Sequence, residues 1–181
     1  MRKWIGYYQN IVSHNICDEI INYSQNQKPL QPSTYSTSSG KSDRSKERVK
    51  MDDGWFRKGE KFYDDIRRSF QEVIKRYQEK HPDFVCQRHT DFRLNKYSYG
   101  GFMSRHVDNI HHSHGQEYGY PQVSALLFLN DDYKGGQLKI SNITYNTKKG
   151  SAIIFPSNFM FPHEVNLITE GTRYSIVTWL M

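Results

Sequence analysis

Hydrophobic positions along the chain fall into two regimes. Near the N-terminus they recur at helical spacing. Ile16, Cys17, Ile20 and Ile21 form a stripe behind Ser13, which is placed to cap a helix from His14 to about Gln25, with Val12 stapled onto Cys17. A second stripe of Phe62, Ile66, Phe70, Ile74 and Tyr77 predicts a helix from about Lys58 to Lys80, stopped before Pro82. Between the two, residues 31–59 are polar and rich in Ser, Thr and charge, which fits either a flexible connection or a lid over a site.

From Phe84 the period shortens. DFRLNKYSY, VSALLFLN, QLKISN, YNTKKGSAIIFPS, HEVNLI and RYSIVTWLM are β-rich runs separated by turns containing Gly, Asn and Asp. KKGSAIIFPS and the final run are almost continuously apolar, as strands buried on both faces are. Two helices followed by seven or more strands predict a mainly β, α+β fold, a sandwich or barrel braced by two N-terminal helices. No internal repeat or domain boundary interrupts the chain. A single domain over 1–181 is expected, with 1–83 as helical support and lid-like loop and 84–181 as the β core.

Composition narrows the picture modestly. Aromatic residues make up 14% of the 181 positions, enough for a packed core. The net charge of +6 permits an acidic partner, nucleic acid included, but much of the excess lies in GKSDRSKERVK, where a solvated loop is an equal explanation. No apolar run approaches the roughly 20 residues of a membrane span. The start, MRKWIGYYQN, lacks the apolar region of a secretory signal. No membrane association and a cytoplasmic location are therefore expected, with Cys17 and Cys86 reduced.

The densest candidate chemistry is RHVDNIHHSHG, residues 105–115. If RHVDN is extended, His106 and Asp108 point to one face as an N,O pincer for a divalent ion. A third ligand must come from elsewhere, and His163 in FPHEVNLI stands in a strand-like setting. Two histidines and one carboxylate on one side of an ion leave the other positions open, an arrangement that suits non-haem Fe(II). His111, His112 and His114 lie beyond the strand in a polar loop and are not expected to bind. Glu164 should point away from His163. Arg173 opens an apolar strand whose alternation groups it with Ser175, Val177 and Trp179. A buried arginine needs an anion, either a protein acid or a bound carboxylate.

RHVDN, LFLNDDYKGGQLKI and FPHEVNLITEGTRYSIVTWLM occur in that order, and from about Tyr97 to Met181 the chain resembles the Fe(II)- and 2-oxoglutarate-dependent dioxygenases of the prolyl 4-hydroxylase group. The likeness is to the catalytic core of the hypoxia-factor prolyl hydroxylases: the H-x-D pair, G-G-x-L, P-H-E-V and R-Y-x-I-x-x-W. It implies a double-stranded β-helix, a cupin-like jelly-roll barrel. It also implies His106, Asp108 and His163 as metal ligands and Arg173 on the distal carboxylate of 2-oxoglutarate. Tyr97 and Val165 would contact the co-substrate, and Trp179 and Trp55 the substrate. Phe128 departs from the pattern, because the hypoxia-factor enzymes carry a carboxylate-binding tyrosine there. The cofactors implied are Fe(II), 2-oxoglutarate and O2, with ascorbate as a supporting reductant. The expected activity is hydroxylation of an unactivated C–H, foremost a prolyl residue of a protein or peptide, releasing succinate and CO2. The same chemistry on a nucleic-acid base or small molecule is the alternative within the fold, and a cupin-like binding barrel is the non-enzymatic one. The intact Asp108 argues against a halogenase.

Overall fold

The computed structural model describes residues 1–36, 42–43, 47–109 and 120–181. A 3-10 turn (Arg2–Trp4) is followed by β1 (Gly6–Tyr8), α1 (His14–Asn26), β2 (Gln31–Pro32), β3 (Tyr35–Ser36), β4 (Ser42–Asp43), β5 (Val49–Lys50) and β6 (Asp52–Phe56). Helix α2 (Tyr63–Lys80) precedes β7 (Phe92–Tyr97), β8 (Phe102–His106), β9 (Val123–Phe128), β10 (Lys134–Gly135) and β11 (Leu138–Ile140). The chain ends with β12 (Ile143–Tyr145), β13 (Ala152–Pro156), β14 (His163–Val165), β15 (Ile168–Glu170) and β16 (Arg173–Leu180).

Both helices form where the apolar spacing places them. Ser13 caps α1 by accepting a hydrogen bond from the Ile16 N–H at 3.3 Å. Helix α2 begins five residues later than its apolar stripe suggests. Gly59 and Phe62 take φ of +90° and +68°, outside the helical region, so the helix cannot run back through them. Asp64 and Asp65 in its first turn complement the helix dipole. Neither helix is long and apolar enough to cross a membrane.

The strands form a seven-stranded sheet, β1-β13-β9-β16-β7-β6-β2, and a five-stranded sheet, β12-β11-β14-β8-β5, with the small β10-β15 and β3-β4 pairs beside them. Side-chain alternation gives the larger sheet two different faces. On one, Leu94, Ala125, Leu127, Ile154 and Ile176 pack against Cys17 and Ile20 of α1 and Ile66, Phe70 and Val73 of α2. On the other, Tyr97, Leu126, Phe128, Phe155, Val177 and Trp179 meet Leu138, Ile140 and Val165 of the smaller sheet. Helices, large sheet and small sheet thus stack in three layers, with one core in each gap. Cys17 and Cys86 are both free.

Three expectations need correction. The sheets pack face to face and do not close into a barrel. The helices are not a separate N-terminal brace, because β1, β2, β5 and β6 from the same stretch are built into the sheets between them. The polar stretch 31–59 is likewise not one lid. Its later part forms β5 and β6, which pair with β8 and β7, and Phe56 is fully buried. Pairing with a strand already in place satisfies backbone groups that a polar sequence otherwise leaves to water. Residues 37–41 and 44–46 lie outside the described residues.

Ile176 lies fully buried in the middle of β16, between β9 and β7. Ile176→Ala should destabilise the protein by about 2–5 kcal/mol. A lowered urea midpoint with unchanged slope checks this.

Candidate metal and co-substrate site

His106 closes β8, and antiparallel pairing sets it directly opposite His163 at the start of β14. Their rings lie 4.2 Å apart between centroids. Asp108 lies two residues past the end of β8, so the expected extended RHVDN pincer is not the geometry adopted. The chain bends after His106 and is pinned there by Asn109, whose N–H donates to the Ser157 carbonyl and whose side-chain amide donates to the Pro121 carbonyl. The bend aims the Asp108 carboxylate at both rings, with Oδ1 3.4 Å from His106 Nε2 and Oδ2 3.4 Å from His163 Nε2. One ligand atom from each of the three residues lies within 4.8 Å of the others. Atoms about 2.1 Å from one ion and at right angles around it are about 3 Å apart, so these three can share a single ion.

Each ring is also oriented from behind. Nδ1 of His106 lies 2.8 Å from the Ser104 carbonyl, and Nδ1 of His163 lies 3.2 Å from the Phe161 carbonyl. A carbonyl only accepts, so each Nδ1 carries the proton and each Nε2 keeps its lone pair toward the centre. Burial, helped by the neighbouring His163, lowers the pKa of His106 and keeps its imidazole neutral. Burial opposes ionisation of Asp108. The adjacent His163 and His106 rings, in their protonated form, outweigh that effect and hold the carboxyl well below the ordinary range. Ser124 Oγ donates to Asp108 Oδ2 at 2.6 Å and lies 2.8 Å from Ser157 Oγ. Both serines are fully buried. Sequence reasoning passed over them, though a serine inside the apolar run VSALLFLN was a usable signal.

Arg173 is 1% exposed, and Nη1 donates to Ser175 Oγ at 3.0 Å. Its Nε and Nη2 are buried without a hydrogen-bond partner, and no acid among the described residues pairs with it. Its guanidinium lies 5.1 Å from the Tyr97 ring centre and 5.4 Å from that of Phe128. A protein salt bridge therefore does not account for this arginine. Gly136 lets the chain pack closely against the arginine's side chain. A Cβ there would come within 2.3 Å of Ile168 Cδ1 and 3.1 Å of Arg173 Cδ, on a backbone with φ of +64°. A buried fork with two unused donors, between aromatic rings, fits a carboxylate. Tyr97 is itself buried, which raises its pKa and keeps the hydroxyl protonated. Val165 faces the same core, and Trp179 stands 6.2 Å from Trp55 on that side.

The remaining candidates separate cleanly. Glu164 points away from the centre and pairs with Lys139 at 3.1 Å. His81 packs between Trp4 and Tyr77, and His89 stacks on Phe92. His111, His112 and His114 lie outside the described residues.

Residues 92–181 match the family model of the 2OG-Fe(II) oxygenase superfamily. This stretch is a 2-oxoglutarate–Fe(II) oxygenase domain. The family's chemistry uses Fe(II), 2-oxoglutarate and O2, and the His–Asp–His centre and anion slot found here suit those cofactors. Among relatives, a PKHD-type hydroxylase of Rippkaea orientalis is 38% identical over 93 residues, 48% of this chain and 40% of that protein. One from Stenotrophomonas maltophilia is 31% identical over 128 residues, 64% and 55% of the two chains. The aligned stretch thus spans about half or less of these relatives' length. In fold, the chain is similar to a Pseudomonas putida prolyl-4-hydroxylase, with TM-score 0.73, 17% identity and coverage of 98% of this chain and 91% of that one. It is equally similar to a Trichoplax adhaerens prolyl hydroxylase in complex with a hypoxia-inducible-factor peptide fragment, with TM-score 0.75, 17% identity and coverage of 99% and 84%.

Two changes test this geometry. Ser124→Ala should leave the fold intact and weaken Mn(II) binding about 10–100-fold, by releasing the carboxylate that the serine orients. Calorimetric titration measures it. Because protons compete with the metal for both imidazoles, Mn(II) affinity should fall as the pH is lowered from neutral. A titration series over pH checks the direction.

Proposed function

We propose that this protein hydroxylates a prolyl residue of a protein or peptide on a double-stranded β-helix scaffold, consuming 2-oxoglutarate and O2. The observation that carries the co-substrate assignment is the buried Arg173 guanidinium with two unused donors, in the core between the sheets that also holds the histidine–carboxylate centre. The prolyl substrate is supported by the fold neighbours, one of which was solved with a peptide fragment bound.

His106, Asp108 and His163 would hold the metal from one side and leave the other open to co-substrate and O2. When bound, iron with 2-oxoglutarate and O2 supplies the oxidising power to hydroxylate an unactivated C–H, with succinate and CO2 as by-products. The chain's own work is placement. Arg173 binds the distal carboxylate through Nε and Nη2, and the protonated Tyr97 hydroxyl is available to donate to the co-substrate. Phe128 brings no hydroxyl to this slot, but Ser175 does. Its oxygen accepts from Arg173, which leaves its own proton free to donate to the carboxylate. Val165, Phe128 and Leu126 wall the space with apolar groups and keep water from it.

Succinate release and hydroxyproline formation, followed by mass spectrometry on proline-containing peptides, test the reading. His106→Ala and Asp108→Ala should abolish both. Succinate formed at the wild-type rate by Asp108→Ala would overturn the metal assignment, and peptides left unmodified while succinate accumulates with another substrate would overturn the prolyl one. Arg173→Ala should weaken 2-oxoglutarate binding about 100-fold, as expected for loss of a buried charge partner. Ser175→Ala should weaken it by less, and Phe128→Tyr on that background should recover part of the loss.

A further inference from the structure

The face of the large sheet that carries Arg173 holds a second arginine that the co-substrate does not need. Strand β7 alternates so that Phe92 and Leu94 pack toward the helices, while Arg93, Asn95 and Tyr97 line the other side. Register places Tyr97 beside Arg173, Asn95 beside Ser175, and Arg93 beside Val177. Arg93 therefore sits two steps from the anion slot along the sheet, toward Trp179. Trp179 is the register partner of Ser124, the serine bonded to Asp108, so this end of the face lies beside the candidate metal centre. On the far side of β7, Trp55 of β6 stands opposite Arg93.

The guanidinium of Arg93 lies over the Trp179 ring, 4.7 Å from its centre. Stacking occupies the flat face of the group and leaves its N–H edge for in-plane acceptors. That edge is not satisfied internally. Arg93 Nε is buried without a hydrogen-bond partner, and no acid among the described residues lies within ion-pair distance. Asp53 stands across from Asn95 in the register and makes no ion pair with Arg93. In the same row the side-chain oxygen of Asn95, a residue 3% exposed, also lacks a partner. Unmet polar groups under cover are costly in a folded core, and two in one row beside a reaction centre mark a surface shaped for a ligand's polar atoms.

We propose that Arg93 is a specificity-determining residue that binds a carboxylate of the substrate beneath Trp179, with Asn95 accepting an N–H of the same ligand. The occupant is an acidic side chain next to the hydroxylated residue of a peptide. A free amino acid would present the same carboxylate chemistry through its α-carboxylate. The inference rests on the hydroxylase reading for its substrate but not for its binding site, and the two can fail separately.

Of the three tryptophans, Trp55 and Trp179 flank Arg93, while Trp4 packs elsewhere on His81. Tryptophan fluorescence therefore reports this patch without turnover. Protein loaded with Mn(II) and saturating 2-oxoglutarate, which fills the Arg173 slot, is titrated under argon with N-acetyl-Asp-Pro-amide and with its Asn-Pro counterpart. The Asp form should bind about tenfold more tightly or better. The ratio should fall to about one in Arg93→Gln and be partly kept in Arg93→Lys. A preference for L-proline over prolinamide, lost in the same variant, would support the carboxylate site with a free amino acid as its occupant. Equal affinity for the Asp and Asn forms and for the proline pair, no fluorescence change with any probe, or a preference that survives Arg93→Gln would overturn the proposal. Hydroxyproline analysis of the same peptides in air separates the two readings. An Arg93-dependent preference without hydroxyproline would defeat the prolyl assignment and leave the Arg93 site standing.

Discussion

A guanidinium sealed in a protein core without an acid beside it among the described residues is the constraint around which the rest of this structure is arranged. Removing a charge from water costs several kcal/mol unless fixed partners replace the solvent. Arg173 has one hydroxyl and two aromatic rings for that purpose. The strand that carries it can bear the deficit because its other positions are fully engaged. All eight residues of β16 are buried, and it is paired on both edges, with β9 and with β7. Gly136 packs so closely beside Ile168 and the arginine's side chain that no Cβ would fit there. The fold thus spends packing energy to keep an anion site ready, as expected where binding must be pre-organised.

The same sheet divides its labour by face. Strand alternation sends one set of side chains to the helices and the other to the smaller sheet, so stability and chemistry use alternate residues of the same strands. Ile176 packs outward between Ser175 and Val177, and Ala125 does so between Ser124 and Leu126. The polar members of the inner face, Ser124, Ser175, Asn95, Arg93 and Arg173, would each be an error in a purely structural core. Together they trace a row from the carboxylate slot to the tryptophan pair. The smaller sheet supplies the facing half through one register match, His163 opposite His106. Because a slip of one residue would turn His163 to the other face, the metal centre depends on the pairing of β14 with β8 as much as on the residues themselves.

Much of this was legible in the chain. Apolar spacing located both helices, the Ser13 cap and the principal strands. The separated motifs around His106, Asp108, His163 and Arg173 named residues that the structure brings into the core between the two sheets. What failed was local. RHVDN did not stay extended, the long polar stretch became part of two sheets, and the expected barrel stayed open as two layers. In each case the deciding partner is distant in sequence: Ser157 and Pro121 for the bend at Asp108, β7 and β8 for β6 and β5.

The sequence by itself determined which chemical groups the protein owns and which face of each element they occupy, because side-chain type and the periods of helix and strand are local properties. Tertiary structure alone decided that Arg173 has no acid beside it among the described residues, that Ser124 steadies Asp108, and that Arg93 lies on Trp179. Pairing between residues tens of positions apart is set by strand register and layer packing, which no local pattern encodes.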